Sequence, residues 1–101
     1  MTRSYAFSRK DANHDELAAV YVELGCSCED SSALGAGFPD AVVGAAGVTD
    51  FVEFKSPGGQ LEPAQETFMA RWRGSPVWVI RKRDDVLQHV SSMRTRARFK
   101  R

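Results

Sequence analysis

The sequence predicts an α/β domain, with a mixed central β-sheet flanked by helices in the order αβββαβα. Three observations lead there. Leu17, Val20, Tyr21 and Leu24 recur at helical spacing and mark an opening helix. Two runs of β-formers on either side of AAG (45–47) mark a hairpin. A second helical stripe then separates that hairpin from the short apolar run VWVI (77–80), the pattern of a strand–helix–strand crossover.

The elements follow in order. The first helix reads from Asp11 to Leu24, with Asn13 as N-cap, Glu16 completing a capping box, and Gly25 closing it. A short strand is expected near Cys26 to Glu29, then a loop of small residues, SSALGAGFPD (31–40). Phe38 to Gly44 reads as a strand, AAG as its turn, and Val48 to Lys55 as the partner strand. After the loop SPGGQLEP, Pro63 suits the first position of a helix running to Arg73. Its inner stripe is Leu61, Gln65, Phe68 and Trp72, and Gly74 ends it. VWVI reads as a buried central strand, parallel to the strand before the helix and joined to it by a right-handed crossover. Asp84 or Asp85 is expected to cap a last helix bearing Val86, Leu87, Val90 and Met93.

The 101 residues suit one domain, read as 1–93 with a basic tail at 94–101. A chain this short buries about 60–70% of its accessible surface on folding, so a shallow groove is expected rather than a deep pocket. Its 43% hydrophobic and 27% charged content is that of a globular domain. No run of 18 apolar residues marks a membrane span, and MTRSYAFSRKDANHDEL lacks the apolar core of a signal peptide. A cytoplasmic protein is the expectation. Cys26 and Cys28 form C-x-C without a second pair to complete a zinc site, so they read as reduced, partly buried thiols.

The net charge of +1 does not mark a nucleic-acid binder, but its distribution is uneven. RTRARFKR concentrates Arg94, Arg96, Arg98, Lys100 and Arg101 without an acid, and Arg3, Arg9 and Lys10 lie at the other end. Both arms are candidates to grip backbone phosphates. Trp72 and Trp78 read as core, and Glu23, Asp30 and Asp50 as solvated.

Three charges resist a purely structural reading. Asp40 follows Pro39 at the start of an apolar strand, while Glu53 and Lys55 interrupt the strand FVEFK. Residues at i and i+2 on a strand share a face, so Glu53 and Lys55 stand together. A hairpin brings Asp40 toward Glu53, and two close carboxylates repel unless one is protonated or a cation intervenes. Hard oxygen donors of this kind suit Mg²⁺, with Mn²⁺ able to substitute, and the Phe54 main-chain carbonyl is a further candidate ligand. Lys55 would then stand where an attacking water meets a phosphate. For a lone E-x-K the simpler explanation is a cross-strand ion pair.

The compound pattern is P-D, then E-x-K thirteen residues on, each on a predicted strand. It resembles the PD-(D/E)xK nuclease superfamily and, within it, the small VRR-NUC-type nucleases of phages and of larger repair enzymes. The likeness runs from Asn13 to Val90, through GAGFPDAVVG, DFVEFKSPGGQLEPAQ and WRGSPVWVIRKRDDVLQHV. It implies a restriction-endonuclease-like core. It implies Asp40 and Glu53 as metal ligands, Lys55 as the catalytic lysine, and Gln65 as a helix residue beside the site. An acid on the first helix often joins such a site, and Glu16 is the matching candidate. Gln65 stays open between that role and capping a buried backbone group, and Glu16 between metal and capping box. The implied activity is Mg²⁺-dependent endonucleolytic hydrolysis of DNA phosphodiesters, structure-specific for branched DNA such as Holliday junctions. A homodimer is expected, in the host cytoplasm if the chain is phage-encoded. SPGG would be a flexible turn beside the scissile phosphate. The alternatives are a non-catalytic nucleic-acid- or protein-binding domain of the same fold, and a structural protein whose charges form salt bridges.

Overall fold

The computed structural model describes residues 12–99. The chain runs through α1 (Ala12–Glu23), β1 (Ser27–Asp30), a 3₁₀ turn (Ser32–Leu34), β2 (Ala41–Ala45) and β3 (Val48–Phe54). It continues through α2 (Pro63–Arg71), β4 (Trp78–Ile80) and α3 (Arg83–Arg98). The expected order of helices and strands is the observed one, with the 3₁₀ turn added. The four strands form one sheet in the order β1-β2-β3-β4. β1, β2 and β3 are antiparallel neighbours, and β4 lies parallel to β3, across the α2 crossover.

The two faces of the sheet are covered differently. α1 and α3 pack together on one face. Leu17, Tyr21, Val86 and Met93 meet Val43, Val52, Phe54 and Ile80 there, all buried. On the other face α2 supplies Phe68 and Trp72, which meet Phe38 and Phe51 in a cluster with ring centroids 5.0–6.4 Å apart. Trp72 sits at the rim of that cluster, 37% exposed, rather than in the core as the sequence suggested.

Several local expectations change. Asn13 lies inside the first turn of α1 and is not its N-cap; its Nδ2 donates to the Lys55 carbonyl at 3.0 Å. The Asn13–Glu16 capping box therefore does not form. The other end of α1 is as read: Gly25 (φ +87°) lets Cys26 N–H reach the Tyr21 carbonyl at 3.0 Å, a Schellman closure. β2 starts at Ala41 rather than Phe38, because Phe38 N–H turns back to the Gly35 carbonyl (3.0 Å) and Pro39 has no N–H to give a ladder. α2 ends at Arg71, with Trp72 as its C-cap. α3 starts at Arg83, and Asp85 reaches back from its first turn to accept the N–H groups of Arg81 (2.8 Å) and Lys82 (3.2 Å). It continues through Arg98, so residues 94–98 are helix rather than tail. VWVI forms an edge strand rather than a central one. Ile80 is buried, while Trp78 and Val79 are half-buried, Trp78 stacking on His89 (4.5 Å) on the α3 side.

Asp50, expected in solvent, is buried at 2% exposure. Its Oδ1 and Oδ2 accept from the Arg96 guanidinium, and Oδ2 also meets His89 Nε2 at 2.7 Å. His89 Nδ1 in turn lies 2.7 Å from the Tyr21 hydroxyl. Burial works to raise the Asp50 pKa, but the hydrogen bonds and charges of Arg96 and His89 outweigh it and hold the carboxyl below its ordinary value. Burial likewise keeps His89 below the usual imidazole range, against the pull of Asp50. The chain of contacts ties β3 to both helices through polar groups that satisfy one another, the condition for burying them at all. Cys26 and Cys28 are free, buried thiols, and burial pushes Cys28 up to about 12. Among the described residues no helix is long and apolar enough to cross a membrane.

Candidate metal centre at the β2–β3 hairpin

The hairpin turns on two residues, Ala46 (φ +53°) and Gly47 (φ +80°), both left-handed as a type I′ turn requires. That turn sets the register: Ala41 pairs with Val52. One step further from the turn, Asp40 falls opposite Glu53, on the face that α2 covers. Both side chains are buried, at 5% and 2% exposure. The approach to Asp40 is fixed by Ser31, whose N–H donates to the Asp40 carbonyl and whose Oγ donates to the Pro39 carbonyl, each at 2.8 Å.

Each carboxyl has a dedicated donor. Asp40 Oδ2 accepts the Phe54 N–H at 2.9 Å. Glu53 Oε2 accepts Gln65 Nε2 at 2.5 Å, while Gln65 Oε1 accepts the Glu62 N–H at 2.8 Å. Gln65 thus closes the first turn of α2 with one end, at an exposed rather than a buried backbone group, and meets Glu53 with the other. Burial, and then the adjacent Asp40 carboxyl, push Glu53 up to about 8; Lys55 pulls the other way and loses. Without a cation, Glu53 therefore keeps its proton at neutral pH.

The pair faces a cavity of about 230 Å³, which Lys55 and Gln65 also line. The match that decides the family covers this ground: residues 8–83 fit the description VRR-NUC domain. The chain belongs to the VRR-NUC family. It is accordingly a nuclease domain, with DNA as the partner that class implies. No curated protein and no solved structure matches the chain. The matched span includes Asp40, Glu53, Lys55 and Gln65 and stops where α3 begins.

In this VRR-NUC domain the first helix contributes differently from expectation. Glu16 points to solvent and does not line the cavity, whereas His14, buried at 5% exposure against Phe54, does. The signal was present in the sequence: His14, Leu17, Ala18 and Tyr21 follow i, i+3, i+4, i+7, and Glu16 falls off that stripe. Among the described residues no group of three or more His, Cys, Asp or Glu side chains gathers for a metal ion. The cavity lining offers two carboxyls, Asp40 just ahead of β2 and Glu53 on β3, with His14 and Phe54 also lining it. Such a sparse oxygen set suits a hard cation that keeps most of its waters, and a buried acid pair short of one charge is the environment a divalent cation relieves.

The predicted phosphate grips are scattered. Arg94 and Arg98 are exposed on α3, Arg94 donating to the Leu24 carbonyl at 2.7 Å. The Arg96 guanidinium is held by buried Asp50, its side chain 37% exposed. Arg3, Arg9, Lys10, Lys100 and Arg101 lie outside the described residues. Arg81, which the sequence did not single out, donates from Nη1 to the carbonyls of Ser56 (3.0 Å) and Gly59 (2.6 Å). With the Gly59 N–H on the Ser56 carbonyl at 2.9 Å, SPGG is a tied turn rather than a loose one.

Proposed function

We propose that this VRR-NUC domain is a Mg²⁺-dependent endodeoxyribonuclease of the PD-(D/E)xK type, acting on branched DNA such as Holliday junctions. The observation that supports it most is the buried Asp40–Glu53 pair, opening on a cavity that Lys55 and Gln65 share. Asp40 and Glu53 would hold the cation, with the Phe54 carbonyl as the third protein donor. When bound, Mg²⁺ supplies positive charge at a phosphoryl oxygen and acidifies water at neutral pH. The side chains do the rest. Lys55 stands on the Glu53 face and places an ammonium against the charge that builds on phosphate oxygens during in-line displacement. Gln65 fixes the Glu53 carboxylate rotamer, and the Phe54 N–H fixes that of Asp40. A two-fold homodimer would present two such sites to a two-fold symmetric junction. Mn²⁺ is expected to substitute, since it accepts the same oxygen donors.

The test is cleavage of supercoiled plasmid and of a four-way junction by the purified chain, with Mg²⁺, Mn²⁺ or EDTA, for wild type and Asp40→Ala. Cleavage that needs the metal and disappears with Asp40→Ala is the expected result. A chain that binds these substrates but leaves them intact in either metal would be a binding domain instead.

A further inference from the structure

Lys55 emerges from the end of β3, where strand order stops and a glycine-containing loop begins. A lysine carried at such a boundary has a backbone free to fray, with the loop beyond it, unless something holds them. Three separate elements do so. The Lys55 N–H donates to the Ile80 carbonyl at 3.0 Å, extending the β3–β4 ladder by one bond. On its other side, the Lys55 carbonyl accepts Asn13 Nδ2 from α1 at 3.0 Å. The loop that follows is pinned at both ends by the single Arg81 nitrogen, through the carbonyls of Ser56 and Gly59. Ser56 and Gly59 line the same cavity as Asp40, Glu53 and Lys55.

We infer that Asn13 and Arg81 are positioning residues for Lys55, together fixing the lysine backbone and the cavity rim beside it. Neither needs to touch DNA or a cation. The inference rests on the nuclease reading, because it assigns these residues to the placement of a group that acts on phosphate. Its physical basis is steep: a misplacement of about 1 Å at a reacting group costs on the order of 100-fold in rate. Asn13→Ala removes the carbonyl tether, and Arg81→Gln removes the strap. Arg81→Lys is the conservative control, since one ammonium can donate to both carbonyls as the one Arg81 nitrogen does.

The experiment compares steady-state cleavage of a four-way junction by full-length wild type, Asn13→Ala, Arg81→Gln and Arg81→Lys in Mg²⁺. Two readouts that need no activity run beside it: the Mg²⁺-induced rise in melting temperature, and hydrogen exchange at the Gly59 amide. In Asn13→Ala and Arg81→Gln, kcat is expected to fall about 10- to 100-fold. KM should stay within about twofold of wild type, and the Mg²⁺-induced rise should be kept, because Asp40 and Glu53 are untouched. Gly59 should exchange faster in Arg81→Gln, and Arg81→Lys should recover both exchange and most of kcat. The inference is overturned if both variants keep kcat within about twofold, or if the loss appears in KM or in the Mg²⁺ response. If wild type itself fails to cleave, the nuclease reading falls and takes this role with it. The exchange data would still show whether Arg81 straps the loop, so the two failures are told apart.

Discussion

Replacing Glu53 by Gln should make the cation-free domain more stable at neutral pH and leave it nearly unchanged in acid. Burial and the adjacent Asp40 carboxyl lift the Glu53 carboxyl from an ordinary 4.5 to about 8. The folded state therefore holds a proton that the unfolded chain releases throughout that window. The contribution is fully present below the unfolded value and is lost as pH rises toward the folded one. At 1.36 kcal/mol per pKa unit, the loss reaches about 3 kcal/mol by pH 7 and about 5 kcal/mol above pH 8. Against a total stability of about 5–15 kcal/mol that is a large fraction, and it corresponds to more than about 10 °C in melting temperature. Glutamine imitates the protonated acid: its carbonyl still accepts from Gln65 Nε2, and its amide donates where the shared proton stood. The assay is thermal and urea unfolding of both proteins in EDTA, from about pH 4 to about pH 9. Wild type should fall progressively below Glu53→Gln as pH rises, the two converging in acid. Mg²⁺ should restore wild type at neutral pH and do little for the variant. Parallel pH curves would refute the reasoning, and a Glu53→Gln protein less stable than wild type at pH 7 would favour a simple Glu53–Lys55 ion pair.

Three further outcomes follow from packing. Gly37→Ala would place its Cβ 2.1 Å from the Ala64 carbonyl oxygen, at φ +82°, so urea unfolding should show a loss of about 3 kcal/mol and a weaker Mg²⁺ response as Gln65 shifts. Ala46→Asn suits the left-handed first position of the hairpin turn and should raise the denaturation midpoint by about 1 kcal/mol in stability; no gain would contradict the turn geometry. Asp50→Ala strands Arg96 and His89 and should cost about 3–5 kcal/mol by the same measurement. In wild type the Asp50 contribution is complete above its ordinary 3.8 and fades as pH falls through its depressed folded value, the opposite trend to Glu53.

Much of this was legible because it rests on local chemistry. The order of elements follows from periodicity, the Gly25 closure from a glycine at a helix end, and the hairpin from β-formers on both sides of AAG; but the turn is two residues, Ala46 and Gly47, not the three of AAG, and only that register puts Asp40 opposite Glu53. What escaped rests on contacts between residues remote in the chain. Asn13 has the composition of an N-cap, and only the arrival of Lys55, 42 residues later, gives its amide another use. Asp50 looks solvated until Arg96 and His89 come in from α3. Arg96, in a basic C-terminal run, reads as a phosphate grip for the same reason. His14 was hidden by an attractive neighbour, since an acid at Glu16 fitted the expected chemistry better than the imidazole that the helical stripe carries to the cavity. The edge placement of β4 is a fact of topology, and local hydrophobicity does not encode it.

The Ala46–Gly47 turn is a gauge as well as a connection. Because pairing proceeds one residue at a time on each strand, only an odd separation leaves Asp40 and Glu53 directly opposite across a two-residue turn. Inserting a single residue between the turn and one acid would send that acid to the face that α1 and α3 cover, with every side chain beyond the insertion exchanging faces. Compensating insertions, one in each strand, would keep the acids opposite but turn both toward α1 and α3, and two in each strand would return them to the α2 face. The thirteen-residue interval between them is therefore one term of an arithmetic series. The gap lengths that keep the acids together on the α2 face should step by four.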